Sequence, residues 1–370
     1  MIPTANQILL LRSCLFSGGD AASAWKSWRE RVNFDDIDAA SYRLIPLLYK
    51  NLRRENIEDE LLGRLKGIYR HTWSRNQLLF HDALQVMTAM QSAGISVLVL
   101  KGATLASSFY SDIGLRPMND FDFMVPLNEV FRAFDVMKNC GWNCEESLPF
   151  KQLVWCSHAG KWMNRAARQM DLHWHLLPEG RQPGTDDDLW ARALKRPVGA
   201  QTFLSMNDTD LFWHICAHGA VGDEVPVIRW IADAWTILQK NPALDWEQLV
   251  ATVQKRRLTL PVGRALAYLR EEFGAPIPVS VVETLTATPV SWVEHWEHRI
   301  KSSPRGIFGA LPLHCVNYLR LTTHDNAWRK ITGVPVFFQH VWGVSSTPAL
   351  LKYVAKKALN RPASRQQNNS

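Results

Sequence analysis

Asp120 and Asp122 stand one residue apart in Asn119-Asp120-Phe121-Asp122-Phe123-Met124-Val125, and Asp171 lies in Gln169-Met170-Asp171-Leu172-His173-Trp174-His175. Both segments read as short strands, in which successive side chains point to opposite faces and residues two apart share one. Asp120 and Asp122 are therefore expected to project together while Phe121, Phe123 and Val125 enter the core. In the second strand Asp171, His173 and His175 are expected on one face, with Met170, Leu172, Trp174 and Leu176 on the other. Carboxylates on otherwise apolar strands are costly unless a cation or a strong network compensates them. The hard cations Mg²⁺ and Mn²⁺ suit oxygen ligands, and Mg²⁺ commonly takes one or two carboxylates plus substrate phosphates. The pattern predicts a divalent-metal site for phosphate chemistry.

Two further signals precede the first strand. Leu100-Lys101-Gly102 ends a nearly continuous apolar run from Ile95, and Arg116-Pro117 leads into Asp120. With these residues in place, the stretch from about Ile95 to Leu176 resembles the nucleotidyltransferase fold of the polymerase-beta superfamily. It looks most like a bacterial nucleotidyltransferase-like family with a Leu-Lys-Gly strand end, an Arg-Pro before an Asp-x-Asp strand, and a later Asp-x-His strand. The likeness continues through His214-Ile215-Cys216-Ala217-His218-Gly219, Arg229-Trp230-Ile231-Ala232-Asp233 and Asp245-Trp246, to about residue 280.

The resemblance implies transfer of a nucleoside monophosphate from an NTP to an acceptor, with two Mg²⁺ ions (or Mn²⁺). ATP, giving AMP transfer, is the donor expected by analogy, and the acceptor is left open. Asp120 and Asp122 would hold both ions, while Asp171 would complete the acceptor-side ion and help deprotonate the incoming hydroxyl. Gly102 would permit close backbone approach to the phosphates at a helix start, with Arg116 and Lys101 neutralising the triphosphate. One residue departs from the superfamily's Gly-Ser turn: Ala103 follows Gly102. That departure leaves an alternative, a catalytically inactive nucleotide-binding or scaffold relative in a biosynthetic cluster.

Histidines raise a different possibility. His214 and His218 are four apart on one helix face, and with His173 and His175 they suggest zinc. HExxH is absent, because Ile215 follows His214, and no cysteine cluster completes a ligand set. The reading preferred is hydrogen-bonded packing histidines, then contact of His173 or His218 with a substrate phosphate, and last a zinc-dependent hydrolase. Asp112 reads as a turn residue. Trp292, His295, Trp296 and Arg299 read as a packed stripe, Lys255-Arg256-Arg257 as a solvated helix end, and Val334 to Phe338 as a core segment.

The chain of 370 residues is 46% hydrophobic and 21% charged, the profile of a soluble globular protein. Its net charge of +7 is concentrated at one end: Lys352, Lys356, Lys357, Arg361 and Arg365 fall in the last twenty residues, which hold no acid. No broad basic face is left to track a nucleic acid, and none is expected as a partner. The start lacks the pattern of a secretory signal and no apolar stretch approaches 18 residues, so a cytoplasmic protein without a transmembrane segment is expected. Six scattered cysteines read as reduced core thiols.

These signals predict an α+β protein: a small mixed β-sheet nucleotidyltransferase core flanked by N-terminal and C-terminal helical segments. Residues 1–93 carry helical apolar spacing that Gly94 ends, and 94–205 form the core. Within it, short strands are expected near 142–144, 151–156, 161–163 and 168–176, and a helix from Pro126 to about Lys138. A helical domain is expected over 206–305, opened by the N-cap cluster Asn207-Asp208-Thr209-Asp210. Residues 306–360 form an unassigned segment, and 361–370 are expected to be a disordered tail.

Overall fold

A computed structural model describes residues 3–220, 228–302, 311–323 and 325–359. The tail expected at 361–370 lies outside the described residues. Seven strands form one sheet: β1 (Leu98–Val99), β2 (Asp120–Met124), β3 (Asn143–Cys144), β4 (Ala159–Met163), β5 (Gln169–His173), β6 (Leu194–Val198) and β7 (Gln201–Ser205). Their spatial order is β3-β4-β5-β2-β1-β7-β6. The sheet is mixed, because β2 runs parallel to β5 and β1 to β7 while the other pairs are antiparallel. With helices before and after it, the molecule is an α+β fold.

Alternation along β1 and β2 divides the hydrophobic interior in two. Val99, Phe121, Phe123 and Val125 enter a core shared with the long helix Leu62–Ser92, through Leu79, Phe80, Ala83 and Met87. The helix Val130–Asn139 closes that core with Val130, Ala133, Phe134 and Met137, the i, i+3, i+4, i+7 spacing of one helical face. Leu98, Leu100 and Met124 point the other way, into a core built from both flanking helical segments. There Leu10, Leu11 and Trp28 of the N-terminal helices join Leu211, Phe212 and Ile231 of helices Asp208–Ala220 and Arg229–Lys240. The two segments, far apart in sequence, thus share one interior against the face that carries Asp120 and Asp122.

Several local expectations hold for the stated physical reasons. Gly94 follows the long helix with φ +73°, a left-handed conformation that favours glycine. Asn207 Oδ1 accepts from the Asp210 backbone N at 2.7 Å, capping the helix that begins at Asp208. Asp112 Oδ1 accepts from Gly114 N at 2.7 Å, as a turn residue does.

Others are corrected. Residues 150–156 form a helix, Phe150–Cys156, in place of the strand expected there; Leu153 and Cys156, three apart, bury together after Pro149. Strands β6 and β7 were not anticipated: Leu194, Lys195 and Pro197 are exposed, which removes the apolar alternation that would mark an edge strand. The packed stripe fails because Trp292 is 78% exposed and His295 and Arg299 are exposed, while Glu294 and Glu297 take the buried face. Glu294 Oε1 accepts from the Leu260 backbone N at 3.1 Å, and Glu297 Oε2 accepts from Arg320 at 2.6 Å. Arg256 is no solvated end either: it is buried against Asp186 at 3.0 Å and stacks over Trp213. Of the six cysteines, Cys14, Cys156 and Cys216 are buried, whereas Cys140 and Cys315 are exposed.

Candidate active site

Parallel pairing between β2 and β5 places Asp122 directly beside Asp171. Asp120 lies two residues earlier on the same face. One carboxylate oxygen from each of Asp120, Asp122 and Asp171 falls within 4.8 Å of the others, and among the described residues these three form the one group of acids, histidines or cysteines able to share a metal ion. All-oxygen donors at this spacing suit a hard divalent cation better than zinc. The zinc alternative finds no support in the histidines. The β5 strand ends at His173, and the backbone N atoms of Trp174 and His175 both bond to His158 O. His175 therefore leaves the Asp171 face, contrary to the shared face expected of it, and pairs with Asp186 at 3.5 Å.

Around the carboxylates stand a few cationic and polar groups. Lys101 Nζ is 4.0 Å from Asp122 Oδ2, and His173 Nε2 is 3.7 Å from Asp122 Oδ1. Gln169 Nε2 donates to Asp171 Oδ1 at 2.9 Å. Lys161, on β4, pairs in register with Asp171 and so shares its face. The spacing rules that found the aspartates did not point to Gln169 or Lys161, because neither interrupts a pattern in its own segment. Only the β4–β5 register brings Lys161 to the site.

The electrostatics follow from three acids sharing too few cations. Burial, then Asp122 and Asp171, push the Asp120 carboxyl up to about 6. Asp171 is raised as well, by burial and by Asp122. For Asp122 burial works in the opposite sense to its neighbours, and Lys101 and His173 prevail, holding it well below the usual carboxylate range. Asp122, nearest the lysine, keeps the negative charge, and its neighbours carry the repulsion. A bound divalent cation would remove that repulsion.

His218 faces the same space. Lys101 first, and burial second, push its ring down to about 3, while His214 behind it is held well below the ordinary range by burial and Lys101. His218 is exposed to solvent while its ring feels Lys101 and Asp122. His173 packs edge to face on His158, with ring centroids 5.4 Å apart, and its Nδ1 is buried without a hydrogen-bond partner.

Gly102 opens the short helix Lys101–Thr104, whose following backbone continues from Leu105 to Phe109. A Cβ at Gly102 would sit 3.3 Å from Arg116 Nη1, so the glycine makes room for that guanidinium. Arg116 is not a free surface cation. It is buried and forks onto Asp233, with Nε to Oδ1 and Nη2 to Oδ2 both 2.9 Å. Tyr110 also donates to Asp233 Oδ1 at 2.8 Å. Nothing in the local sequence linked Arg116 to Asp233, 117 positions later. Ala103, which follows Gly102, is fully buried, and the next hydroxyl, Thr104, is engaged with Val99 O and Ser205 Oγ.

The fold and the site define a class: a mixed-sheet protein with three convergent carboxylates beside a lysine-glycine helix start, an arrangement suited to phosphate-group transfer. Residues 39–274, more than half of the chain, match the family described as uncharacterised nucleotidyltransferase, and the protein belongs to that family. No curated protein matches the chain. No helix among the described residues is long and apolar enough to cross a membrane.

Proposed function

We propose that the protein transfers a nucleoside monophosphate, AMP from ATP, to a small-molecule or peptide acceptor, with Mg²⁺ or Mn²⁺ held by Asp120, Asp122 and Asp171. The observation that carries this reading is the convergence of those three carboxylates within 4.8 Å. The bound cation would supply charge neutralisation for the triphosphate and for the attacking oxygen. The chain's own groups do the rest. Lys101, beside Asp122, offers the nucleotide's phosphates a mobile point charge. Gly102 leaves room for the Arg116 guanidinium behind the helix start, and backbone N–H groups there take the place of the missing serine hydroxyl. Arg116, fixed by Asp233, acts as a positioned positive charge behind Gly102. Asp171, raised by burial and Asp122, is suited to accept the acceptor's proton. His218 and His173 face the phosphates from the cleft wall.

A binding-only relative is favoured by two observations: Arg116 is committed to Asp233, and no hydroxyl stands free at the phosphate turn. One experiment separates the two readings. Purified protein is titrated calorimetrically with each of the four ribonucleoside triphosphates, with and without Mg²⁺, and pyrophosphate release is followed with candidate acceptors. Mg²⁺-dependent uptake with pyrophosphate release, both lost in Asp122→Asn and insensitive to a zinc-selective chelator, supports the transferase. Uptake without release for any acceptor supports the binding-only relative. Equal behaviour of wild type and Asp122→Asn ends the metal-site reading.

A further inference from the structure

A pocket of about 490 Å³ opens beside the carboxylates, in the size range of small-molecule sites. Pro117, Met118 and Asn119, the residues leading directly into Asp120, form one wall. The long helix Leu62–Ser92 and the short helix Ala39–Tyr42 form the other. The pocket therefore lies on the Asp120 side of the cluster, where its Arg229 acts on the Asp120 carboxyl, while Lys101 approaches at Asp122.

Its charge is one-sided. Arg43, Arg75, Arg229 and His71 line it, with no carboxylate among the described lining residues. Arg43 and Arg75 form no ion pair or side-chain hydrogen bond among the described residues. Arg229 is only partly engaged: Nη1 donates to Pro117 O at 2.6 Å, its nearest carboxylate contact is 3.9 Å from Asp233, and its buried Nε has no hydrogen-bond partner. Burial, Arg116 and then, less strongly, Arg43 push Arg229 down to about 10, as expected of a cation lacking a full counter-charge. Three guanidinium groups lining one pocket, two of them without an ion pair and the third only loosely paired with Asp233, match a multiply charged anion, since each fork fits phosphate oxygens. Between them Tyr42, Ile68 and Met118 offer ring and aliphatic surface for an organic portion.

We propose that this pocket binds the phosphate of a phosphorylated acceptor, holding it by Arg43, Arg75 and Arg229 at the Asp120 end of the site. The assignment deepens the transferase reading and rests on it: Lys101 and the Gly102 helix start receive the donor triphosphate, and the arginine pocket receives the molecule to be modified.

The test uses phenyl phosphate as probe, titrated into the full-length protein in a chelator without nucleotide, by calorimetry and by ³¹P line broadening. Wild type and Asp122→Asn are expected to bind it, and Arg43→Gln/Arg75→Gln is expected to bind at least about tenfold more weakly. Thermal melts of the double variant confirm folding, which its unpaired arginines favour. Single Arg75→Gln provides a second variant if the double one does not fold. Mg²⁺-dependent ATP uptake is measured in parallel and is expected to survive the arginine substitutions. Absence of phenyl phosphate binding in wild type overturns the proposal, as does binding unchanged by the substitutions. If phenyl phosphate competes with ATP and both are lost together in the variants, the pocket holds donor phosphates and the acceptor assignment falls. A wild type that binds phenyl phosphate but no nucleotide leaves the anion pocket standing and sinks the transferase reading instead.

Discussion

Replacing Asp120 by asparagine should stabilise the metal-free protein, although it removes a residue of the site. Asp120 is raised from 3.8 to about 6 by burial and by the charges of Asp122 and Asp171. A carboxyl whose folded value exceeds its unfolded value binds its proton more tightly when folded. That contribution is complete below about pH 4 and is lost as pH rises through about 6. Above that window the ionised group costs the fold about 2–3 kcal/mol, at 1.36 kcal/mol for each tenfold change in proton affinity. Asparagine keeps the volume and discards the charge. In a metal chelator at pH 8, Asp120→Asn should therefore be more stable than wild type by up to about 2–3 kcal/mol, seen as a melting midpoint higher by roughly 3–4 °C. At pH 4 the two should melt together. Mg²⁺ added at pH 8 should raise the wild-type midpoint by preferential binding to the folded state and leave the variant nearly unmoved. Urea unfolding and calorimetric melts at the two pH values measure both effects. A variant no more stable than wild type at pH 8 in chelator would refute the claim that the three carboxylates repel one another.

Two further substitutions probe the scaffold behind the site. Asp233→Ala strands the buried Arg116 and Tyr110, whose partners it supplies at 2.8–2.9 Å, so a loss of about 3–5 kcal/mol in urea unfolding is expected; a loss below about 1 kcal/mol would show that the arginine finds another partner. Gly102→Ala places a methyl 3.3 Å from Arg116 Nη1. It should weaken Mg²⁺-dependent ATP binding at least about tenfold while costing no more than about 2 kcal/mol of stability, and calorimetric titration beside a melt checks both parts.

Much of the site was legible because it is written in short-range pattern. A two-residue period puts Asp120 and Asp122 on one face whatever surrounds them, and Phe121 and Phe123 on the other. Gly94 and Asn207 were readable for the same reason, since a left-handed φ and a helix cap are set by neighbouring backbone. Edge strand β6, with exposed lysine and proline, gave no such local signal, and its neighbour β7 was missed with it. His175 was misplaced because the strand ends at His173, where the next two backbone N–H groups turn to the His158 carbonyl.

The sequence alone determined that three acids would stand on two apolar strands beside a lysine-glycine turn. Side-chain direction along an extended chain is a property of the backbone and needs no partner. Tertiary structure decided the rest. The β2–β5 register brings Asp171 to Asp122, the β4–β5 register adds Lys161, and helix packing commits Arg116 to Asp233 while gathering Arg43, Arg75 and Arg229 around one pocket. Those contacts join residues from ten to more than a hundred positions apart, and Coulomb and hydrogen-bond energies depend on separation in space, which chain spacing does not encode.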